Sequence, residues 1–198
     1  TLVIHNYVDL NKVKVMSKES QVDFSNYFIT VGRLEEQKNI IGLIKAFSKI
    51  KDRIDKNLLI LGDGSQKTEL EKLLIKLKCQ DRVKLLGFKK NPYKYIYNAD
   101  FFIMNSLYEG MSNAILEALA CKVPIITTNH EGVEDLIIDR FNGLIIPIND
   151  ENRLSDAMIE LLENHRLRDT LIKNGEDSLR KFTGVMEEYS NLILGVSN

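Results

Sequence analysis

Short apolar runs alternate with segments of helical period from residue 27 to residue 182, and this alternation leaves the chain few ways to fold. Residues 27–32, 57–61, 82–87, 100–104, 124–128 and 143–147 are rich in Ile, Leu, Val and Phe and bounded by turn residues, so each reads as a buried strand. Between them, residues 39–54 carry apolar side chains at 40, 41, 44, 47 and 50, close to helical period. Helices are likewise expected over 65–77, 92–97, 113–121, 132–137, 153–164, 167–182 and 185–194. Strands alternating with helices imply a parallel sheet covered by helices on both faces, an α/β Rossmann-like architecture. Residues 10–26 are polar and rich in Lys and Ser, and read as a loop or short ordered insert. With 198 residues the chain fits one domain with a sizeable core, or two small ones.

Within this frame, the segment from Ser106 to Thr128 carries the most chemistry. An apolar strand ends near Met104, a polar turn follows, and Ser112 is placed to cap a helix rich in Ala and Leu. Glu109 then lies in the loop at the carboxyl end of a strand, and Glu117 about two turns into the helix. Open α/β sheets bind ligands at that rim. The helix start offers unpaired N–H groups and a positive dipole end, which suits a phosphate. Two carboxylates flanking a phosphate seat suit a molecule with both phosphate and hydroxyls, and a nucleotide sugar has both. Arg33 and Lys38 follow the first strand, where two cations would face a diphosphate; ordinary solvated surface charge is the competing reading.

At these residues the chain resembles a known family. Glu109 to Glu117 forms an E-x7-E pattern like that of the retaining glycosyltransferases of GT-B fold, family 4. Val31-Gly32-Arg33-Leu34 with Lys38, Leu61-Gly62-Asp63-Gly64, and Val83 to Phe88 match further motifs of that family, in its order and spacing, across about residues 28 to 147. The resemblance implies a donor-binding domain. Arg33 and Lys38 would hold the diphosphate, Glu117 the ribose hydroxyls, and Glu109 the transferred sugar near the reacting carbon. Gly110, Met111, Ser112 and Asn113 would offer backbone N–H groups. Gly62 stands between a ligand contact and a tight turn, and Phe88 between a place beside the base and a place in the core. Two departures are visible: Glu131-Gly132 where many members have two glycines, and Asn105 where proline is frequent.

Tyr7-Val8-Asp9 resembles the family's hinge. The expected division is therefore residues 1–26 as hinge and lead-in, 27–182 as the nucleotide-sugar-binding domain, and 183–198 as a C-terminal helix or tail. The resemblance also implies an N-terminal acceptor-binding half missing from this chain, through which any association with the membrane would run. It further implies a nucleotide-sugar donor as substrate, no cofactor and no metal, and a role in glycan or polysaccharide biosynthesis. An isolated domain of this kind is expected to be inactive. A nucleotide-sugar 2-epimerase and a binding-only module are the alternatives, the first weakened by the E-x7-E pattern together with Arg33 and Lys38. A receiver domain would need an acidic cluster after the early strands, where this chain has Val31-Gly32-Arg33.

Charge and composition exclude other classes. A net charge of -1 argues against a nucleic-acid partner held by phosphate neutralisation. No apolar run approaches membrane-spanning length, and no signal peptide is visible. Cys79 and Cys121 lie far apart without metal-type spacing, and His5, His130 and His165 form no pair at ligand spacing. These features lead to the expectation of a cytoplasmic protein, at the membrane's cytoplasmic face if the missing half attaches there.

Overall fold

The computed structural model describes residues 8–19 and 21–182. Six strands form one parallel sheet: β1 (Tyr27–Val31), β2 (Asn57–Leu61), β3 (Val83–Gly87), β4 (Phe101–Met104), β5 (Ile125–Thr128) and β6 (Leu144–Ile146), in the order β3-β2-β1-β4-β5-β6. The helices are α1 (Leu10–Met16), α2 (Ile40–Ile50), α3 (Lys67–Lys76), α4 (Tyr93–Tyr97), α5 (Asn113–Ala120), α6 (Glu151–Glu163) and α7 (His165–Ser178). This is the doubly wound, Rossmann-like arrangement expected from the alternation, and its strand order reverses between β1 and β4.

The strands are continuous apolar runs because helices cover both sheet faces. Phe28 to Ile29 and Phe101 to Ile103 have no exposed surface. At the centre, the Phe28 and Phe101 rings stack at 3.9 Å between centroids, and Phe47 of α2 meets Phe28 edge-on at 6.1 Å. Each such ring removes enough apolar surface to contribute about 1.5–3 kcal/mol. Buried Tyr27 satisfies its hydroxyl by donating to the Tyr95 carbonyl at 2.7 Å, and burial raises its pKa. One helix layer is built from α2, α3 and α6, the other from α1, α4, α5 and α7, with α6 touching α7.

Two sequence expectations change and one open choice closes. Residues 10–16 form a helix, the ordered one of the two alternatives, loop or short ordered insert, that the sequence left open. Asp9 caps α1, its side chain accepting from the Lys12 amide at 2.9 Å, and Val13 is buried. The helix is held from outside, where Asn91 donates to the Met16 carbonyl at 2.8 Å. Helix α2 stops at Ile50 rather than residue 54: the carbonyls of Ile54 and Lys56 turn outward to accept from Arg82 at 2.8 and 2.6 Å. The segment expected as a helix over 132–137 is a single 3-10 turn, Val133–Asp135, entered through Gly132 in the left-handed region at φ 79°. The helix expected over 185–194 lies outside the described residues.

Candidate functional site

The crevice at the strand-order reversal is walled by the loops leaving β1 and β4. After β1 the chain runs through Gly32, Arg33 and Leu34 into a 3-10 turn, Glu36–Lys38, and then into α2. Asn39 makes that junction in the left-handed region, φ 45° and ψ 46°, and its side chain accepts from the Gly42 amide at 3.1 Å. After β4 the chain passes Asn105 to Ser112 before α5 begins.

The two loops are tied to each other. The Leu107 amide donates to the Gln37 carbonyl at 2.8 Å, and the Gln37 side chain donates to the Tyr108 carbonyl at 2.9 Å. Asn105 is buried and donates to the Asn39 carbonyl at 3.0 Å. This amide fills the place of the frequent proline with a tether that proline lacks. Across the same gap the Lys38 ammonium is paired with the Glu109 carboxylate, their side chains 15% and 13% exposed. Ser106 also donates to Glu109, at 3.1 Å. Two residues 71 apart in sequence, singled out separately, are thus brought into contact.

Arg33 stands exposed beside this pair, its guanidinium 3.3 Å from the Gln37 carboxamide oxygen. Gly32 lets the Lys38 stem lie close: a Cβ there would sit 3.2 Å from Lys38 Cε. Gly62 has φ 142°, and a Cβ on it would lie 1.8 Å from the Gly32 carbonyl oxygen. A Cβ on Gly64 would lie 2.6 Å from the Leu34 carbonyl oxygen. The loops after β1 and β2 therefore touch backbone to backbone, and both glycines are required by that contact. Gly110 differs, because a Cβ there would meet nothing within 4 Å. Nothing in the fold requires glycine at 110.

Ser112 caps α5: its Oγ lies 3.5 Å from the Ile115 amide and 3.2 Å from Met104 Sδ. The first-turn amides of Asn113 and Ala114 have no intrahelical acceptor, and Asn113 is exposed. Met111 is half-buried against the core. Phe88 is 78% exposed, which removes the core reading. It lines a cavity of about 500 Å³ with Gly32, Arg33, Gly62, Lys89 and Pro92, at the carboxyl ends of β1 to β3. A second cavity of about 490 Å³, among α1, α5 and the end of α7, shares no lining residue with it.

Glu117 lies on the half-buried side of α5 that meets α4. Its Oε1 accepts from the Tyr93 hydroxyl at 3.1 Å. Burial raises its pKa, while the Tyr93 hydrogen bond and the Lys12 charge act downward. The Tyr93 hydroxyl is pushed up to about 12, chiefly by burial and next by the Glu117 charge. Sequence reasoning missed Tyr93 and Gln37, and it noted Asn105 without foreseeing its contact. No local pattern marks these contacts; only the topology, which lays α4 beside α5 and the β1 loop beside the β4 loop, brings them in. Among the described residues no group of three or more His, Cys, Asp or Glu is arranged to hold a metal ion. No described helix is long and apolar enough to cross a membrane.

A family model described as glycosyl transferases group 1 matches residues 13–178. A Campylobacter jejuni protein is 35% identical over 167 residues, 84% of this chain and 45% of that protein. Its name is N-acetylgalactosamine-N,N'-diacetylbacillosaminyl-diphospho-undecaprenol 4-alpha-N-acetylgalactosaminyltransferase. The chain spans about half the length of the curated relatives it matches, 45%, 58% and 54% for three of them. Among solved structures, Anabaena HepE in complex with UDP superposes with a TM-score of 0.86 at 21% identity, over 99% of this chain and 58% of that one. The C-terminal domain of LpcC, a Francisella tularensis protein solved alone, gives 0.72 at 22% identity, over 88% of this chain and 94% of that one. At these identities the two structures establish the fold, that of the C-terminal half of a GT-B glycosyltransferase.

Proposed function

This chain belongs to the glycosyl transferases group 1 family, and from that premise we propose that it is the donor-binding domain of a retaining glycosyltransferase. It would move a sugar from a nucleoside diphosphate to a hydroxyl acceptor in glycan or polysaccharide assembly. The observation that carries the reading is the meeting of Lys38 and Glu109 across the crevice, beside the open first turn of α5. A cation and unpaired amides there suit the diphosphate and the charge that develops on it as it leaves, and a carboxylate suits the sugar hydroxyls.

In this mechanism Arg33, Lys38 and the Asn113 and Ala114 amides hold the diphosphate. They stabilise the negative charge that grows as the anomeric carbon–oxygen bond breaks. Glu109 accepts from the hydroxyls of the transferred sugar, and Glu117 from the ribose. Gly110 leaves room for the sugar to pass close to the backbone, and the Phe88 ring stands at the mouth of the cavity offered to the base. The acceptor oxygen bonds to the anomeric carbon on the face the diphosphate leaves. Its proton passes to a departing phosphate oxygen, so configuration is kept without a protein nucleophile.

Residues 27–182 would form this donor domain and residues 1–26 its hinge. The acceptor wall would come from an N-terminal half, a reading supported by the share of its relatives' length that this chain covers. The C. jejuni relative's name points to N-acetylgalactosamine as the sugar, and the UDP in the HepE complex to the nucleotide, of the first donor to try. Calorimetric titration with UDP, GDP, ADP and their sugars, in EDTA, tests the proposal. Binding of at least one nucleoside diphosphate without divalent metal is expected. No binding to any of them at millimolar concentration would sink the donor reading.

A further inference from the structure

We propose that Tyr93 is a positioning residue for the donor's ribose: its hydroxyl fixes the Glu117 carboxylate. The inference rests on the reading of Glu117 as the ribose ligand. Helix α5 alone does not fix that carboxylate. A glutamate in mid-helix has several rotamers, and an aimed acceptor must be held in one of them before the ligand arrives. The Tyr93 hydroxyl supplies that constraint at 3.1 Å from Oε1.

Tyr93 is itself well anchored. Its amide donates to Asn91 Oδ1 at 3.1 Å, and Asn91 is tied to α1 through the Met16 carbonyl and through Glu19 Oε2 at 2.9 Å. On the other side, buried Cys121 at the end of α5 approaches the Tyr93 carbonyl at 3.8 Å. The phenol is thus braced between α1 and α5, and α1 becomes part of the support of the site.

The chemistry of the pair suits the task. A carboxylate offers about four acceptor positions. One phenol takes a single position on Oε1 and leaves Oε2 for vicinal hydroxyls. A neutral donor also orients the group without cancelling its charge, as a contacting lysine would. Burial holds the phenol's pKa at about 12, so it keeps its proton and stays a donor at ordinary pH. The other charged and titratable groups facing the pair are Lys12 of α1 and Cys121 of α5, with Asp9 facing the phenol. Lys12 is exposed, and Cys121 is held neutral by burial, which pushes its thiol up to about 12. Tyr93 is therefore the group in direct contact that favours the charged carboxylate.

Tyr93→Phe in the intact chain is the test, because the ring keeps its packing and only the hydroxyl is lost. A carbon-13 titration of the Glu117 carboxyl should show its midpoint raised by about one pH unit, since the hydrogen bond favours the charged form. UDP should bind about tenfold more weakly at neutral pH, and the pH below which binding fades should rise with the Glu117 midpoint. Inorganic diphosphate, which has no ribose, should bind wild type and variant alike. In a Glu117→Ala background the Tyr93→Phe change should have no further effect on UDP. Wild type that binds UDP, with a variant unchanged in both midpoint and UDP affinity, overturns the inference and leaves the donor reading standing. Equal weakening of UDP and inorganic diphosphate also overturns it, as general damage. Wild type that binds no nucleoside diphosphate overturns the donor reading and the inference together.

Discussion

Glu109→Gln should make the chain bind bare UDP more tightly, although Glu109 is placed in the donor site. In the free protein the Lys38 ammonium is already spent on the Glu109 carboxylate, with both side chains largely shielded from solvent. A diphosphate must take Lys38 from that partner and approach a fixed negative charge as it does so. Two unit charges about 4 Å apart interact by ~4 kcal/mol at an effective dielectric of ~20, before desolvation is subtracted. Exposed pairs retain ~0–1 kcal/mol, while breaking a buried pair costs ~3–5 kcal/mol. At 15% and 13% exposure this pair falls between, and about 1–2 kcal/mol is the fair expectation. Glutamine keeps the volume and can still accept from Ser106, but it frees Lys38. UDP affinity should then rise roughly 5- to 30-fold, at tenfold per ~1.4 kcal/mol. A UDP-sugar should gain less, because its sugar loses a charged acceptor. Calorimetry of wild type, Glu109→Gln and Lys38→Ala with UDP and with a UDP-sugar decides the matter. UDP binding by Glu109→Gln no tighter than by wild type would refute the competition argued here.

The same geometry fixes further outcomes. Gly62→Ala should lose about 3 kcal/mol or more in denaturant unfolding, from a Cβ 1.8 Å from a carbonyl oxygen at φ 142°. Gly110→Ala, with nothing within 4 Å, should change stability by less than ~0.5 kcal/mol yet weaken binding of a UDP-sugar. Glu117→Gln should raise the melting temperature at neutral pH while weakening UDP. Burial raises the native carboxyl's pKa, so the native state binds more protons than the unfolded chain between the ordinary and the raised value; stability falls as pH climbs through that window. The gain should shrink as the pH drops below the ordinary carboxylate range, and a variant no more stable than wild type at neutral pH would contradict it. The chain alone should transfer no sugar to any acceptor, with transfer returning once an N-terminal half is restored. In that restored protein Lys38→Ala should cost ~10²–10³-fold in turnover.

The sheet was legible because each strand is a local composition: Phe101 to Met104 or Leu58 to Leu61 must be buried on both faces, wherever they end up. Helices with a wide apolar face, such as α2, were legible for the same reason, although the end of α2 depends on Arg82, more than thirty residues further along the sequence. Helix α1 was not. Among seven residues only Val13 is buried, and the flanking lysines look like a solvated loop. A helix of that length is held by what it packs against, α4 and α5, rather than by its own propensity.

The candidate site divides along the same line. The candidate positions Arg33, Lys38, Glu109 and Glu117 could be chosen from residue type and place at the carboxyl rim. What Lys38, Glu109 and Glu117 touch on other elements could not, because those contacts cross the topology. Lys38 meets Glu109 only because β1 and β4 are neighbours at the reversal, and Asn105 reaches Asn39 for the same reason. Phe88 shows the limit of composition most sharply. An aromatic after an apolar strand satisfies the pattern of a core residue, and only the edge position of β3 leaves it 78% exposed beside an open cavity. An exposed aromatic on a rigid rim loses nothing to the fold if it is removed. A base stacked on it would give that position its only energetic reason to be aromatic, so Phe88 is a place where recognition rather than packing would set the residue type.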